Sequence, residues 1–235
     1  MDPGDLAAYA PPEVLADFMD GLAIMDSRGL TEGFGHLSAR IASGFLMTPA
    51  LAPGMAKVAD LVALDRDGQA ARVAPGRSLA LETPLHLAVY RARPDVGALC
   101  RTHSPWAVAW GLRAEPFRPS HGFGLMLGEK VPYHPGGDLV TGAGSGAAAA
   151  ADLGDARALF LKGNGLIVAG ATIREAVIRA IYLEEACQAT LRAGVVPAAA
   201  HFTRDERAAR SKWHDAELQR AWAYYGARAS TRHPK

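Results

Sequence analysis

Apolar positions along this chain repeat in two rhythms. Val14, Leu15, Phe18, Met19 and Leu22 recur at three- and four-residue steps, which predicts a first amphipathic helix from Pro12 to about Arg28. "GLTEGFGHLSAR" follows, with glycines at 29, 33 and 35 forming a turn-rich approach to a strand through Leu37 and Ala39. Phe45 to Thr48 predicts another strand, and Asp67-Gly68 between two short β-prone runs predicts a hairpin. Leu85, Ala88 and Val89 return to helical spacing, with Thr83 suited to the N-cap and Pro84 to the first helical position. An Arg-Pro-Asp turn ends that helix, and Val96 to Cys100 reads as a buried strand.

Beyond it, Ser104 and Pro105 open a short helix that Gly111 stops, and its Trp106 and Trp110 suit core packing or a subunit contact. Leu159 to Lys162 and Leu166 to Ala169 predict two strands about the turn Gly163-Asn164-Gly165. Thr172 and Glu175 form a capping-box pattern that opens a long helix closed by Gly194, whose acidic pair Glu184 and Glu185 suits a solvated or subunit-facing place. From Thr203 the tail alternates charges with Trp213, Leu218, Trp222 and Tyr225, an amphipathic helix that covers a neighbour or its own domain.

Size and composition narrow the class. A chain of 235 residues fits one large domain or two small ones. One domain over 1–235 is expected, with an N-terminal extension over 1–11 and a helical tail from about 203 to 235. Apolar residues at 49% and charged ones at 21% are ordinary for a globular protein, and a net charge of +1 gives no reason to expect nucleic acid or an anionic membrane as partner. The N-terminus lacks the basic region and apolar run of a signal peptide, and no later stretch approaches about 18 uninterrupted apolar residues, so a cytoplasmic location is expected. Cys100 and Cys187 fall on apolar stretches and read as inert buried thiols. The glycines of "TGAGSGAAAAADLG" lack a P-loop lysine and do not fit G-x-G-x-x-G, and an Ala-rich helix start accounts for them.

The candidate chemistry gathers between Glu82 and His103. Glu82 stands at the mouth of a helix, while Arg101 and His103, two residues apart at a strand end, are expected to point into one cleft. This stretch, with "GHLSAR" (Gly35 to Arg40), "FLMTP" (Phe45 to Pro49), "RPDVGALCRTHSP", and "ALFLKGNGLIVAG" followed by a long helix, resembles the class II aldolase/adducin family over roughly Pro12 to Gly194.

The resemblance implies an α/β fold of three αβα layers, a central mainly antiparallel sheet flanked by helices. It implies a small-molecule substrate and a ring-shaped homo-oligomer, with a tetramer favoured. It also implies a divalent metal on three imidazoles that stabilises an enolate. Here only His103 remains of that set, since Arg101 and Asn164 occupy the other two positions. Arginine offers no lone pair and stays cationic, so no metal and no other cofactor is expected. In its place Arg101 is expected to meet the developing oxyanion, an attraction of roughly 4 kcal/mol at ~4 Å and an effective dielectric of ~20. Realised only in the transition state, that corresponds to about three orders of magnitude in rate.

Glu82 is then expected to move protons, His103 and Asn164 to bind substrate oxygens, and Tyr133 to donate a proton across a subunit boundary. His36, Thr48 and His121 are the further substrate-binding candidates. Ala50-Leu51 and Ala80-Leu81 stand where related sugar-phosphate aldolases place phosphate contacts, which points to a nonphosphorylated substrate bearing a carbonyl or carboxylate. A lyase acting by decarboxylation or retro-aldol-like cleavage is the leading expectation. Two alternatives stand beside it. One is a noncatalytic adducin-like scaffold. The other is an enzyme of oxidative chemistry with a metal centre rebuilt from His36, His103 and His121 or His134.

Overall fold

The computed structural model describes residues 6–120, 122–194, 202–210 and 215–232. Its centre is strand β5 (Ala98–Thr102), every residue of which is buried. β1 (His36–Ile41) pairs with β5 antiparallel on one side and β8 (Leu166–Gly170) pairs antiparallel on the other. Outward from β1 come β2 (Gly44–Met47), β3 (Val62–Asp65) and β4 (Ala70–Arg72), and outward from β8 come β7 (Ala158–Leu161) and β6 (Tyr133–His134). The order is β4-β3-β2-β1-β5-β8-β7-β6, and among the described residues only β6 and β7 pair in parallel. The hairpins expected at Asp67-Gly68 and Asn164-Gly165 join β3 to β4 and β7 to β8.

Side chains alternate across this sheet and separate two apolar cores. Leu37, Ala39, Ala98, Cys100, Val168 and Phe160 face α1 (Pro12–Ser27), α3 (Pro105–Gly111), α5 (Ile173–Ala193) and α7 (Asp215–Arg232). Phe45, Leu99, Leu159, Ile167 and Ala169 face α2 (Thr83–Ala92) and α4 (Ala143–Leu153). A further helix, α6 (Arg204–Arg210), precedes α7. These are the three layers expected, a sheet between two sets of helices. Among the described residues no helix is long and apolar enough to cross a membrane.

Several local expectations shift. Helix α2 starts one residue early, with Glu82 at the N-cap and Thr83 as the first helical residue. The Thr83 hydroxyl donates to the Ala80 carbonyl at 2.6 Å, so it does not cap. Strand β5 runs two residues later than expected, because Val96 lies in a turn, its N–H donating to the Arg93 carbonyl, while pairing with β8 begins at Ala98. That shift brings Arg101 inside the central strand. Of the N-terminal extension, Leu6 and Ala10 join the core. Glu184 is partly buried, and its carboxylate accepts the Trp106 and Ala107 N–H groups at 2.9 and 2.8 Å and caps α3. The tail covers its own domain, where Leu218 and Trp222 are buried, while Trp213 lies outside the described residues.

Candidate active site

Four central strands end or begin at the same edge of the sheet. Antiparallel pairing sets the start of β1 beside the end of β5, with the β7–β8 turn next to it. The loops at this edge enclose a cavity of about 650 Å³. Its walls come from Gly33 to His36, Pro49 to Ala52, Ala80 to Glu82, His103, Leu139 and Asn164. Close backbone approach holds the parts together. Gly165, at φ 75°, lies where a Cβ would fall 2.0 Å from the Thr102 carbonyl oxygen, so only glycine lets the Asn164 turn press against the end of β5. His103 is anchored by its N–H donating to the Leu30 carbonyl at 3.1 Å.

The charged centre is Glu82 with Arg101. Arg101 Nε donates to Glu82 Oε2 at 3.0 Å, Nη2 reaches Oε1 at 3.5 Å, and Nη1 donates to the Thr102 carbonyl at 2.8 Å. Glu82 lines the cavity, but Arg101 is 0% exposed and does not. The expectation that Arg101 shares the cleft with His103 and meets substrate directly is thereby corrected. Its side chain leaves β5 on the core side of Glu82, and all three of its nitrogens are engaged within the protein. Burial lowers the Arg101 pKa, and the Glu82 carboxylate opposes that shift. The cation therefore acts by holding the carboxylate in place.

Three imidazoles surround this pair. His36 is the β1 partner of Arg101 in the sheet register, and burial first, then the charges of Arg101 and His103, push its pKa down to about 3. His103 is lowered by burial and by Arg101, against the opposing pull of Glu82, Asn164 and the Phe34 backbone. His86, on α2, is fully buried, and burial holds it well below the usual histidine range. All three are neutral near pH 7. Their Nδ1 (His36, His103) or Nε2 (His86) atoms are buried without a hydrogen-bond partner among the described residues.

The remaining predicted residues divide. Asn164 and His36 line the cavity, and so do Ala50-Leu51 and Ala80-Leu81, whose apolar side chains stand in place of phosphate contacts. Thr48 does not: it is fully buried, and its hydroxyl exchanges hydrogen bonds with the Leu37 main chain at 3.2 and 3.4 Å, tying β1 to β2. Tyr133 sits on β6 at the sheet's far edge, packed against the apolar core with its hydroxyl buried, and does not reach the cavity of its own chain. His134 is bound to Asp152 at 2.6 Å, away from the cavity. His121 lies outside the described residues.

Sequence reasoning missed His86, Ser38 and Tyr90, and Phe34 and Leu139 of the apolar rim. A signal for the first three was present. Glu82, His86 and Tyr90 are spaced by four on one helix stripe, and Ser38 shares the strand face of His36.

The donor set does not fit the divalent metal that the resemblance implies. Of the three aligned positions only His103 offers a coordinating nitrogen, because an arginine nitrogen has no free lone pair. Among the described residues no group of three His, Cys, Asp or Glu side chains is arranged to hold a metal ion.

Comparison with known proteins agrees with this architecture. A model of the Class II Aldolase and Adducin N-terminal domain matches residues 17–191. A 3,4-dihydroxyphthalate decarboxylase of Terrabacter sp. (strain DBF63) is 33% identical over 187 residues, which cover 73% of this chain and 77% of that protein. One of the same name from Arthrobacter keyseri is 32% identical over 175 residues, covering 68% and 71%. The crystal structure of an aldolase II superfamily protein from Pseudomonas syringae superposes with a TM-score of 0.82 at 21% identity and covers 95% of both chains, a likeness of fold.

Proposed function

The chain belongs to the class II aldolase and adducin family, and from that premise we propose that it decarboxylates a nonphosphorylated, hydroxylated carboxylic acid without a bound metal. It is a carbon–carbon lyase, in keeping with relatives named decarboxylases and aldolases. The observation that carries the finer reading is the composition of the cavity wall. One carboxylate, Glu82, faces neutral hydrogen-bonding groups on His36, His103 and Asn164, while Ala50, Leu51, Ala80 and Leu81 supply an apolar lining. Such a wall suits a ring or short carbon skeleton with oxygens at one end better than a phosphate.

Decarboxylation replaces a carbon–carboxylate bond with a carbon–hydrogen bond. Glu82 accepts the proton of a substrate hydroxyl and returns it to the carbon that loses carbon dioxide. The oxygen that gave up its proton is left with negative charge until a proton from water replaces it. His103 and the Asn164 amide stabilise that charge as fixed donors in a partly dry site, and Arg101 keeps the Glu82 carboxylate aimed. Retro-aldol cleavage places the same demands on these groups, since it too begins with removal of a hydroxyl proton and leaves an oxyanion. Phe34 is 77% exposed and Leu81 69%, and a second protomer over this apolar rim is the proposed homo-oligomer, a tetramer by the family's habit. Tyr133, whose hydroxyl is buried within its own chain, is left out of this mechanism.

The test is direct. Protein treated with chelator and shown by elemental analysis to be metal-free is given 3,4-dihydroxyphthalate and related hydroxylated acids, and carbon dioxide release is followed. Turnover by the metal-free protein that disappears in Glu82→Gln is expected. A stoichiometric transition metal retained by the wild type, lost in His103→Ala and needed for turnover would overturn the metal-free reading.

A further inference from the structure

Asn164 is the single asparagine among the 235 residues, and a glycine follows it. Its side chain lines the cavity, in a turn that leaves the next main-chain nitrogen free. The Asn164 N–H donates to the Leu161 carbonyl at 3.0 Å, and the Gly165 carbonyl accepts the Leu161 N–H at 2.9 Å. Among the described residues no backbone carbonyl accepts the Gly165 N–H. No side chain on residue 165 shields that nitrogen, and the fold fixes this arrangement. At φ 75°, with the Thr102 carbonyl oxygen 2.0 Å from where a Cβ would stand, position 165 admits glycine alone. The cavity, at about 650 Å³, has room for water beside the Asn164 amide. An unbonded main-chain nitrogen next to a side-chain amide, with water at hand, supplies the reactants of deamidation.

We propose that Asn164 is a modification site, at which attack by the Gly165 nitrogen and then by water converts the cavity-facing amide into a carboxylate and ends activity. The Gly165 nitrogen gives its proton to a solvent base and bonds Asn164 Cγ. The bond from Cγ to the side-chain nitrogen breaks, and that nitrogen takes a proton from solvent and leaves as ammonia. Water then opens the five-membered imide at one of its two carbonyls, leaving aspartate or isoaspartate. Either product removes the amide N–H offered to substrate and sets a second carboxylate in the wall that holds Glu82. An anionic substrate is repelled by that charge. Isoaspartate also adds a methylene to the main chain where the turn already presses against the end of β5. The loss of turnover rests on the lyase reading, whereas the chemistry at Asn164 does not.

The experiment uses the full-length protein without substrate, held in warm, mildly alkaline buffer beside a second sample unfolded in urea. The intact mass is expected to rise by about one dalton per chain in both. Trypsin digestion is expected to place that gain in the peptide from Gly163 to Arg174, which contains the single asparagine. The folded protein is expected to react faster as pH rises, and at a rate within about a hundredfold of the unfolded chain. A slower folded rate would show that the native turn forbids the attack and would overturn the proposal. So would a mass gain of the same size in Asn164→Gln, whose longer side chain closes a six-membered ring far less readily. Asn164→Asp supplies one product directly. Calorimetric titration with 3,4-dihydroxyphthalate is expected to give an affinity at least about tenfold weaker than for the wild type, and equal affinity would overturn the loss of function. A wild type that neither binds nor turns over this acid counts against the lyase reading and leaves the mass result standing, and an unchanged mass leaves the decarboxylase assay standing.

Discussion

The two faces of the central sheet are built from the same strands and serve opposite ends. Toward α1, α3, α5 and α7, strand β5 sends Ala98 and Cys100 into a core of aliphatic and aromatic side chains. Toward α2 and α4 it sends Leu99 and then Arg101, and β1 adds Ser38 and His36 on that face beneath His86. Burying polar groups is unfavourable unless each is paired, and one end of the second face holds several that are not. The first face is apolar but for scattered hydroxyls such as those of Thr102 and Tyr133. The second accepts a stability penalty at its cavity end, which is where the reaction is proposed to occur.

The largest expected effects come from breaking the ion pair on the polar face. Arg101→Ala leaves the Glu82 carboxylate buried beside the cavity without its partner, and removal of one member of a buried pair costs about 3–5 kcal/mol. Urea denaturation is expected to show that loss, and turnover is expected to fall by about three orders of magnitude, which corresponds to roughly 4 kcal/mol of barrier. The double variant Glu82→Gln with Arg101→Met removes both charges and is expected to recover most of the stability but none of the turnover. Full turnover in the double variant would reduce the pair to a packing feature and sink its assigned role.

Phe160 tests the opposite face. It is fully buried in the larger core, stacked edge-on with Phe117 at 6.2 Å. Phe160→Ala is expected to cost a comparable 3–5 kcal/mol through the cavity it leaves. The rate per folded molecule, measured well below the new melting temperature, is expected to stay within about twofold, since kcat depends on the geometry at the far end of the other face. If turnover fell as steeply as with Arg101→Ala, the division of labour between the faces would be wrong.

This division also explains what could be read from the chain. Helical repeats such as Val14, Phe18 and Leu22, and turn signals such as Asn164-Gly165, are local, and they gave α1, the hairpins and α5 nearly to the residue. Glu82, His103, His36 and Asn164 were legible because each ends or begins an element, and antiparallel pairing gathers such ends at one edge. Arg101 was legible as a position but not as an environment. Whether its guanidinium reaches substrate or turns onto Glu82 depends on α2 lying across β5, a contact between residues 19 apart in sequence. His86 and Tyr90 passed unnoticed beside the apolar repeat of Leu85, Ala88 and Val89, and only the packing of α2 over Ser38 shows that this helix has a polar seam. Thr48 looked like a site residue from its motif, but its hydroxyl is engaged in joining two strands.

Acid sharpens the comparison by a smaller amount. His36 is neutral in the folded chain down to about pH 3, whereas in the unfolded chain it gains a proton below about 6.5. Between those values the unfolded state binds more protons, so stability rises with pH and is lost as pH falls through that window. Each such histidine contributes at most about 1.4 kcal/mol per pH unit, and His86 and His103, both lowered, act in the same direction. Urea midpoints measured from pH 7 to pH 4 are expected to fall, and His36→Gln is expected to flatten the slope. An equal slope in that variant would mean that the buried imidazoles do not govern acid sensitivity and that exposed carboxylates do.

The smallest expected effect uses an arginine with nearly the same bonds in a different place. Arg174, on α5, donates to both oxygens of Asp17 at 2.8 Å, reaches Gln219 at 2.9 Å and lies 5.5 Å from the centre of the Trp222 ring, joining α1, α5 and the tail helix α7. On paper this is a better ion pair than Arg101 with Glu82, where one contact is 3.5 Å. Yet its side chains remain 33% and 26% exposed, against 0% and 6% for the buried pair. Water competes for the partly exposed charges and resolvates whichever is left behind, so such a pair contributes only about 0.2–1 kcal/mol. Arg174→Ala is therefore expected to lower stability by about 1 kcal/mol and to leave turnover unchanged, with the difference shrinking in high salt. Placed beside Arg101→Ala in one denaturation series, it separates bond geometry from burial: matching losses would show that geometry sets the strength of both pairs, while a three- to fivefold larger loss at Arg101 would show that the dry end of the polar face does.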